Sequence, residues 1–369
     1  MNIGWIIYIF SYLLIFCERK IFFHPQITFS HSRDAEKVFK HFHSSIGFNE
    51  NQLVSSFHVN SKCQLCSFTI RNRQTSNSSP KDAIMTSMFY KSFNLIPSLR
   101  TLRSTGSKCG MIVFTDSDLY KQINQQLFSF LQDCGCLIIN SGDLSTSRKK
   151  MLFMTRNLVI HEFLFKNHQF FQRIIIIDLY DTIFQGDPFN TEFLDDTIGF
   201  SLETTKIQGS HINGISILYG TEKANKMCLK KLIVNCGTII GSSQIVLRFL
   251  SLFLELANKL SNSQYDNLIN TGFPDQAIVN GLICTHTLDD HGIKYHLYTA
   301  QEEYISLHKI YRAPNLNFSL GNFLFNSSQY PLLIHLFDRS KNFCQSVLDA
   351  CPQTFDIPFS YIRCLNVHK

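Results

Sequence analysis

Charge is scarce in this chain. Only 17% of its 369 residues are charged, tryptophan occurs once, and glycine and proline together number 17 + 9 = 26. Low charge beside 34 phenylalanines excludes long-range disorder, and so little glycine and proline excludes collagen-like and linker-type chains. The 34 basic and 28 acidic residues leave a net charge of +6, spread along the chain. No basic cluster exceeds Arg148-Lys149-Lys150, so nothing points to a nucleic-acid partner. Internal repeats are absent as well. The length suits two domains or one large α/β domain, with a core large enough to need no metal or disulfide staple.

Long apolar runs are also missing, with one near exception. Ile3 to Cys17 is uncharged but spans 15 residues, short of the ~20 that cross a bilayer. It is closer to a signal-peptide core, although no basic residue precedes it. If it were an anchor, Arg19 and Lys20 would favour a cytoplasmic C-terminal side. Residues 1–20 are therefore expected to be a signal peptide or a short signal anchor, with a buried core segment as the alternative. The expected localisation is the secretory pathway, in the endoplasmic reticulum or Golgi lumen or secreted, with membrane association through this segment. Twelve cysteines fit that compartment. Cys63-Gln-Leu-Cys66 lacks the second ligand pair that a zinc site needs, so core thiols with one or two disulfides are expected. Sequons stand at Asn77, Asn317 and Asn326.

Residues 21–105 show no clear period and read as a stem. From Cys109 the pattern changes. Met111–Phe114, Leu137–Ile139 and Arg173–Asp178 read as buried strands, with helical spacing to about Asp133 and over 148–170. Apolar segments at 198–202, 215–218 and 232–240 could add strands, and 244–260 has the pattern of a long amphipathic helix. Alternating strands and helices predict an α/β domain with a mostly parallel central sheet flanked by helices, over residues 106–369. Ligands of such sheets sit at the carboxyl ends of the strands. The strand ending in Asp178 reaches Asp181 one turn later, and two carboxylates there call for a hard cation or a basic partner. Asp187, before Pro188, reads as a helix N-cap.

Asp178-x-x-Asp181 followed by Phe184-Gln-Gly-Asp187-Pro-Phe189 resembles the metal-site segment of nucleotide-sugar glycosyltransferases of the GT-A (Rossmann-like) fold, whose common motif has the shorter Asp-x-Asp spacing. Asn235-Cys-Gly237, Pro274-Asp275-Gln276…Asn280 and Ile334-His335…Asp338-Arg339 resemble three further segments of that family, in the same order. The resemblance covers about residues 108–340. It implies a UDP- or GDP-sugar donor, a glycan or glycoprotein acceptor, and Mn²⁺ or Mg²⁺ on Asp178, Asp181 and His335. It also implies Thr115 and Asp116 near the nucleoside and Arg156 on phosphate, with an exposed helix charge as the alternative for Arg156. Asn235, Gly237 and Gln276 would face the sugar, and Asp275 would orient or deprotonate an acceptor hydroxyl, with a plain helix start as its alternative. Two rival readings are a non-catalytic scaffold or lectin-like protein of the same fold and a haloacid-dehalogenase-type phosphatase. The latter needs an acid where Tyr180 stands.

Overall fold

The computed structural model describes residues 39–42, 50–69, 76–89, 94–144, 152–191, 195–299, 302, 304–306, 320–321 and 330–351. The expected signal segment and the sequons at Asn317 and Asn326 lie outside these residues. Among the described residues, no helix is long and apolar enough to cross a membrane.

The described residues include twelve strands. β1 (Phe39–Phe42) pairs only with β5 (Gly142–Leu144). The central sheet uses β2 (Asp82–Met88), β3 (Gly110–Thr115), β4 (Cys136–Asn140), β6 (Arg173–Ile177), β8 (Thr197–Lys206), β9 (Leu232–Ser242) and β10 (Lys294–Tyr298). Their spatial order is β10-β8-β9-β6-β2-β3-β4, and only β9 runs against its neighbours. This is a mostly parallel, Rossmann-like sheet with helices on both faces. β6 shows why. Ile174 and Ile176 pack in one core with Leu158 and Phe249, from helices Leu152–Asn167 and Ser243–Asn258. Ile175 and Ile177 pack in the other, with Leu99 of helix Leu95–Ser104 and Leu131 of helix Gln125–Asp133. A strand buried on both faces needs an unbroken apolar run, and each buried isoleucine contributes roughly 2 kcal/mol.

A third, three-stranded sheet joins β11 (Tyr304–Ser306), β12 (Leu333–His335) and β7 (Thr182–Phe184) in that order. β12 pairs antiparallel with β7, placing His335 opposite Thr182. That pairing carries a histidine from the far C-terminal region to the end of β6.

The structure corrects several expectations. Residues 82–104 are no stem, because β2 lies between β6 and β3 and the helix Leu95–Ser104 packs under the sheet. The run Asp-Ala-Ile-Met-Thr-Ser-Met has few β-branched residues, so its strand character comes from its neighbours. Arg173 of β6 fixes its start through two hydrogen bonds to the Asp82 carboxylate, both 2.7 Å. Residues 215–218 lie inside the helix Ser210–Tyr219, where a short apolar run leaves the two structures indistinguishable by pattern. Among the described residues three disulfides have both partners placed, Cys63–Cys134, Cys66–Cys351 and Cys228–Cys284, and Cys344 is disulfide-bonded as well, more than the one or two expected.

Asp187 caps no helix. Residues 187–190 form a turn, and its carboxylate accepts from Ser76 Oγ, Ser78 N, Ser107 Oγ and Phe189 N. One buried acid thereby ties three segments together. Asp187→Ala leaves these donors unsatisfied and should cost about 2–4 kcal/mol in urea unfolding, with Asp187→Asn costing less.

Candidate functional site

Asp178 follows β6 directly, its backbone N–H donating to the Gly237 carbonyl at 2.9 Å. A short 3₁₀ turn, Leu179–Asp181, then brings Asp181 back beside it. β12 adds His335, whose Nε2 lies 3.1 Å from Asp181 Oδ1 and 3.6 Å from Asp178 Oδ2. These contacts are not aligned as hydrogen bonds. Asp181 Oδ1 and both ring nitrogens of His335 are buried and have no hydrogen-bond partner. One ligand atom from each residue falls within 4.8 Å of the others. Two carboxylates and an imidazole that would give up its proton to a cation make a set that could bind a metal ion.

Strand irregularities aim the rest of the site. β9 pairs Ile239 with Phe200 of β8 and then Asn235 with Ser201, leaving Cys236, Gly237 and Thr238 without a β8 partner. A second shift between Leu202 and Lys206 loosens the stretch that carries Glu203. Bulges of this kind redirect side chains. Gly237 sits against the His335 ring, where an added Cβ would lie 2.2 Å from Cε1. The space its missing side chain opens is filled by that imidazole.

A cavity of about 460 Å³ opens here, lined by Asp178, Asp181, His335, Asn235, Gln276, Asp275 and Glu203 among others. The Glu203 carboxylate is held on three sides. Asn235 Nδ2 donates to Oε1 at 2.8 Å, Gln276 Nε2 to the same oxygen at 2.9 Å, and Thr205 Oγ1 to Oε2 at 2.9 Å. Asn280 braces this wall by bridging Val234 and the Gln276 carbonyl. Asp275 is both a first-turn residue of the helix Pro274–Cys284 and a cavity residue.

Arg156 lies behind the cavity wall and is 2% exposed. It donates to the Asp178 carboxylate and to the Cys236 carbonyl at 3.0 Å, and its NH2 stands 3.6 Å from Asp275 Oδ2. It is neither an exposed helix charge nor placed to meet a phosphate from the cavity. Burial opposes ionisation of Asp178, but Arg156 and His335 outweigh it and hold that carboxyl below its ordinary value. Burial pushes Asp275 up to about 6 against the pull of Arg156. For His335 burial works against the cation, yet Asp181 and Asp178 raise it to about 10. Burial and Asp181 lift Asp338 to about 7.

The chain matches no family model and no curated protein. Its site is therefore read from its own geometry. Asp178, Asp181, His335, Asn235, Gly237, Asp275 and Gln276 line this one cavity. Thr115 and Asp116 do not line the cavity. Asp116 caps the helix Ser117–Gln122 by accepting from Leu119 N at 2.8 Å, and Thr115 Oγ1 donates to the Ile139 carbonyl. Both stand at the end of β3, two strands from β6. Two cavity residues carry no role in the sequence analysis: Glu203, whose signal is a lone acid within a buried strand, and Arg339, which stands in the histidine segment and ends the 3₁₀ turn that follows β12.

Asp275, Asp338 and His335 give the metal-free protein one sense of pH dependence, and the lowered Asp178 carboxyl, whose contribution is lost as pH falls, gives the other. A carboxyl raised in the folded state binds its proton more tightly folded than unfolded. Its contribution is greatest below 3.8 and is lost as pH rises through about 6 for Asp275 and about 7 for Asp338. The His335 contribution is complete below 6.5 and is lost as pH rises through about 10. Relative to the unaltered protein, Asp275→Asn should gain in urea midpoint as pH rises from about 4 to 6 and run parallel to it on the alkaline limb.

Proposed function

We propose that this protein is a divalent-metal-dependent glycosyltransferase of the GT-A type, moving a sugar from a UDP- or GDP-sugar to a glycan or glycoprotein acceptor. The observation that carries the reading is the cluster of Asp178, Asp181 and His335, with one ligand atom of each within 4.8 Å of the others, at the mouth of β6 and beside a sugar-sized cavity. Mn²⁺ or Mg²⁺ suits this set, and would neutralise the charge gathering on the leaving diphosphate.

The chain's own groups divide the remaining work. Arg156 keeps Asp178 ionised and anchored, so that its carboxylate needs no reorganisation on meeting a cation. Arg339 is the guanidinium on the cavity wall and is suited to the diphosphate, the part first expected of Arg156. Glu203, Asn235 and Gln276 form a rigid polar wall whose acceptors and donors match sugar hydroxyls. Asp275 faces the same space, and its raised value leaves it able to accept a proton from a hydroxyl near neutral pH. The ends of β2 and β3, with Thr115 and Asp116, lie on the other side of Asp178 and would take the nucleoside. The secretory lumen is the proposed compartment. In the place where a dehalogenase-type phosphatase needs its acid, the Tyr180 hydroxyl instead donates to the Phe89 carbonyl at 3.2 Å.

Purified protein should hydrolyse one UDP- or GDP-sugar from a panel in Mn²⁺ and not in EDTA. Asp181→Ala should lower that rate on the order of 10²-fold or more, with little change in melting temperature. Silence across the panel, or full activity in the variant, would overturn the reading.

A further inference from the structure

The mouth of the cavity carries an aromatic rim that the reaction chemistry leaves without a role. Phe153 and Phe273 are 44% and 45% exposed, although both are large and apolar, and both line the same cavity as the metal-type cluster. Exposed aromatic side chains gathered around a concave polar site mark a binding surface rather than chance exposure. They are also well supported. Phe153 stands one turn before Arg156 on the helix Leu152–Asn167, so it projects from an element whose buried side anchors the site. Phe273 is the N-cap position of the helix Pro274–Cys284, immediately before Asp275. Its ring stacks on that of His211, with centroids 4.8 Å apart and planes 22° from parallel, and His211 lines the cavity too. Three helices thus present rings at one opening, above a wall whose carboxylates are Glu203 and Asp275.

We propose that this rim, with Phe273 as its main platform, is a saccharide-binding subsite that seats the acceptor sugar. A pyranose has an apolar C–H face and a circumference of hydroxyls. The first matches a ring face at the mouth, and the second matches the carboxylates and amides below it. A nucleobase also stacks, but Phe273 heads the helix Pro274–Cys284, which packs on β9, across β6 from the β2 and β3 ends assigned to the nucleoside. The inference rests on the glycosyltransferase reading for the assignment of the bound sugar as acceptor.

The test is saturation-transfer NMR on the full chain in Mg²⁺ with a panel of methyl mono- and disaccharides, alongside UMP and a serine/threonine peptide. At least one saccharide should be saturated most strongly on its C–H face. Phe273→Ala should weaken its binding about tenfold, and Phe273→Trp should retain it. Melting curves of both variants show that they are folded. Absence of saccharide binding, binding that ignores both substitutions, or Phe273 dependence of UMP or the peptide instead, would overturn the proposal. Nucleotide-sugar hydrolysis by the unaltered protein is scored separately. Hydrolysis with an indifferent rim sinks this inference alone. Rim-dependent saccharide binding without hydrolysis of any donor sinks the transferase reading and leaves a carbohydrate-binding cavity.

Discussion

A single buried guanidinium is the constraint on which the site depends. Arg156 is almost wholly enclosed between the sheet and the cavity wall, yet it faces two carboxylates, Asp178 and Asp275, and a backbone carbonyl of the β9 bulge. Two buried acids in contact would drive each other toward protonation, and a lone buried cation would be equally costly. Together the three are tolerable. Removing any one member strands the rest, at about 3–5 kcal/mol for a broken buried pair. Arg156 also separates the two acids chemically. Asp178, in direct contact, stays ionised, while Asp275, at 3.6 Å, keeps a raised value. One cation therefore sets a permanent ligand on one side and a proton-accepting group on the other.

The strands supply the placement that charge alone cannot. β6 ends in the middle of the sheet and points Asp178 outward at its carboxyl end. The small β11-β12-β7 sheet then folds His335 over the turn that carries Asp181. Gly237 makes this approach sterically possible, because any side chain there would occupy the imidazole's position. On the other flank, the broken β8–β9 ladder turns Glu203 and Asn235 toward the cavity. Irregular pairing is thus concentrated where functional side chains gather, and the ladders between β6, β2, β3 and β4 keep an unbroken register.

Legibility in the sequence followed the strength of each physical signal. β3, β6 and β9 announce themselves as apolar runs, and the Ser243–Asn258 helix by its period. β2 does not, because Thr86 and Ser87 interrupt it and its burial is imposed by partners on both edges. Asp178 and Asp181 are legible from the buried strand that ends at them, His335 only from motif order, and the β12–β7 pairing that unites the three has no local signature. Arg156 was picked out with the wrong role: a basic residue in a helical pattern does not reveal that its face is buried. Nothing local assigns a role to Glu203 or to Arg339, because their importance arises from register and loop path. Asp187 shows the converse, a strong local cap signal overruled by three segments converging on one carboxylate.

The central claim is that Asp178, Asp181 and His335 hold a divalent cation. Anomalous diffraction from a crystal soaked in Mn²⁺, collected at the manganese edge, addresses it directly. The account requires one strong peak at about 2.0–2.4 Å from a carboxylate oxygen of each aspartate and a ring nitrogen of His335. A peak elsewhere, or three residues that stay in mutual contact with no ion among them, would contradict it.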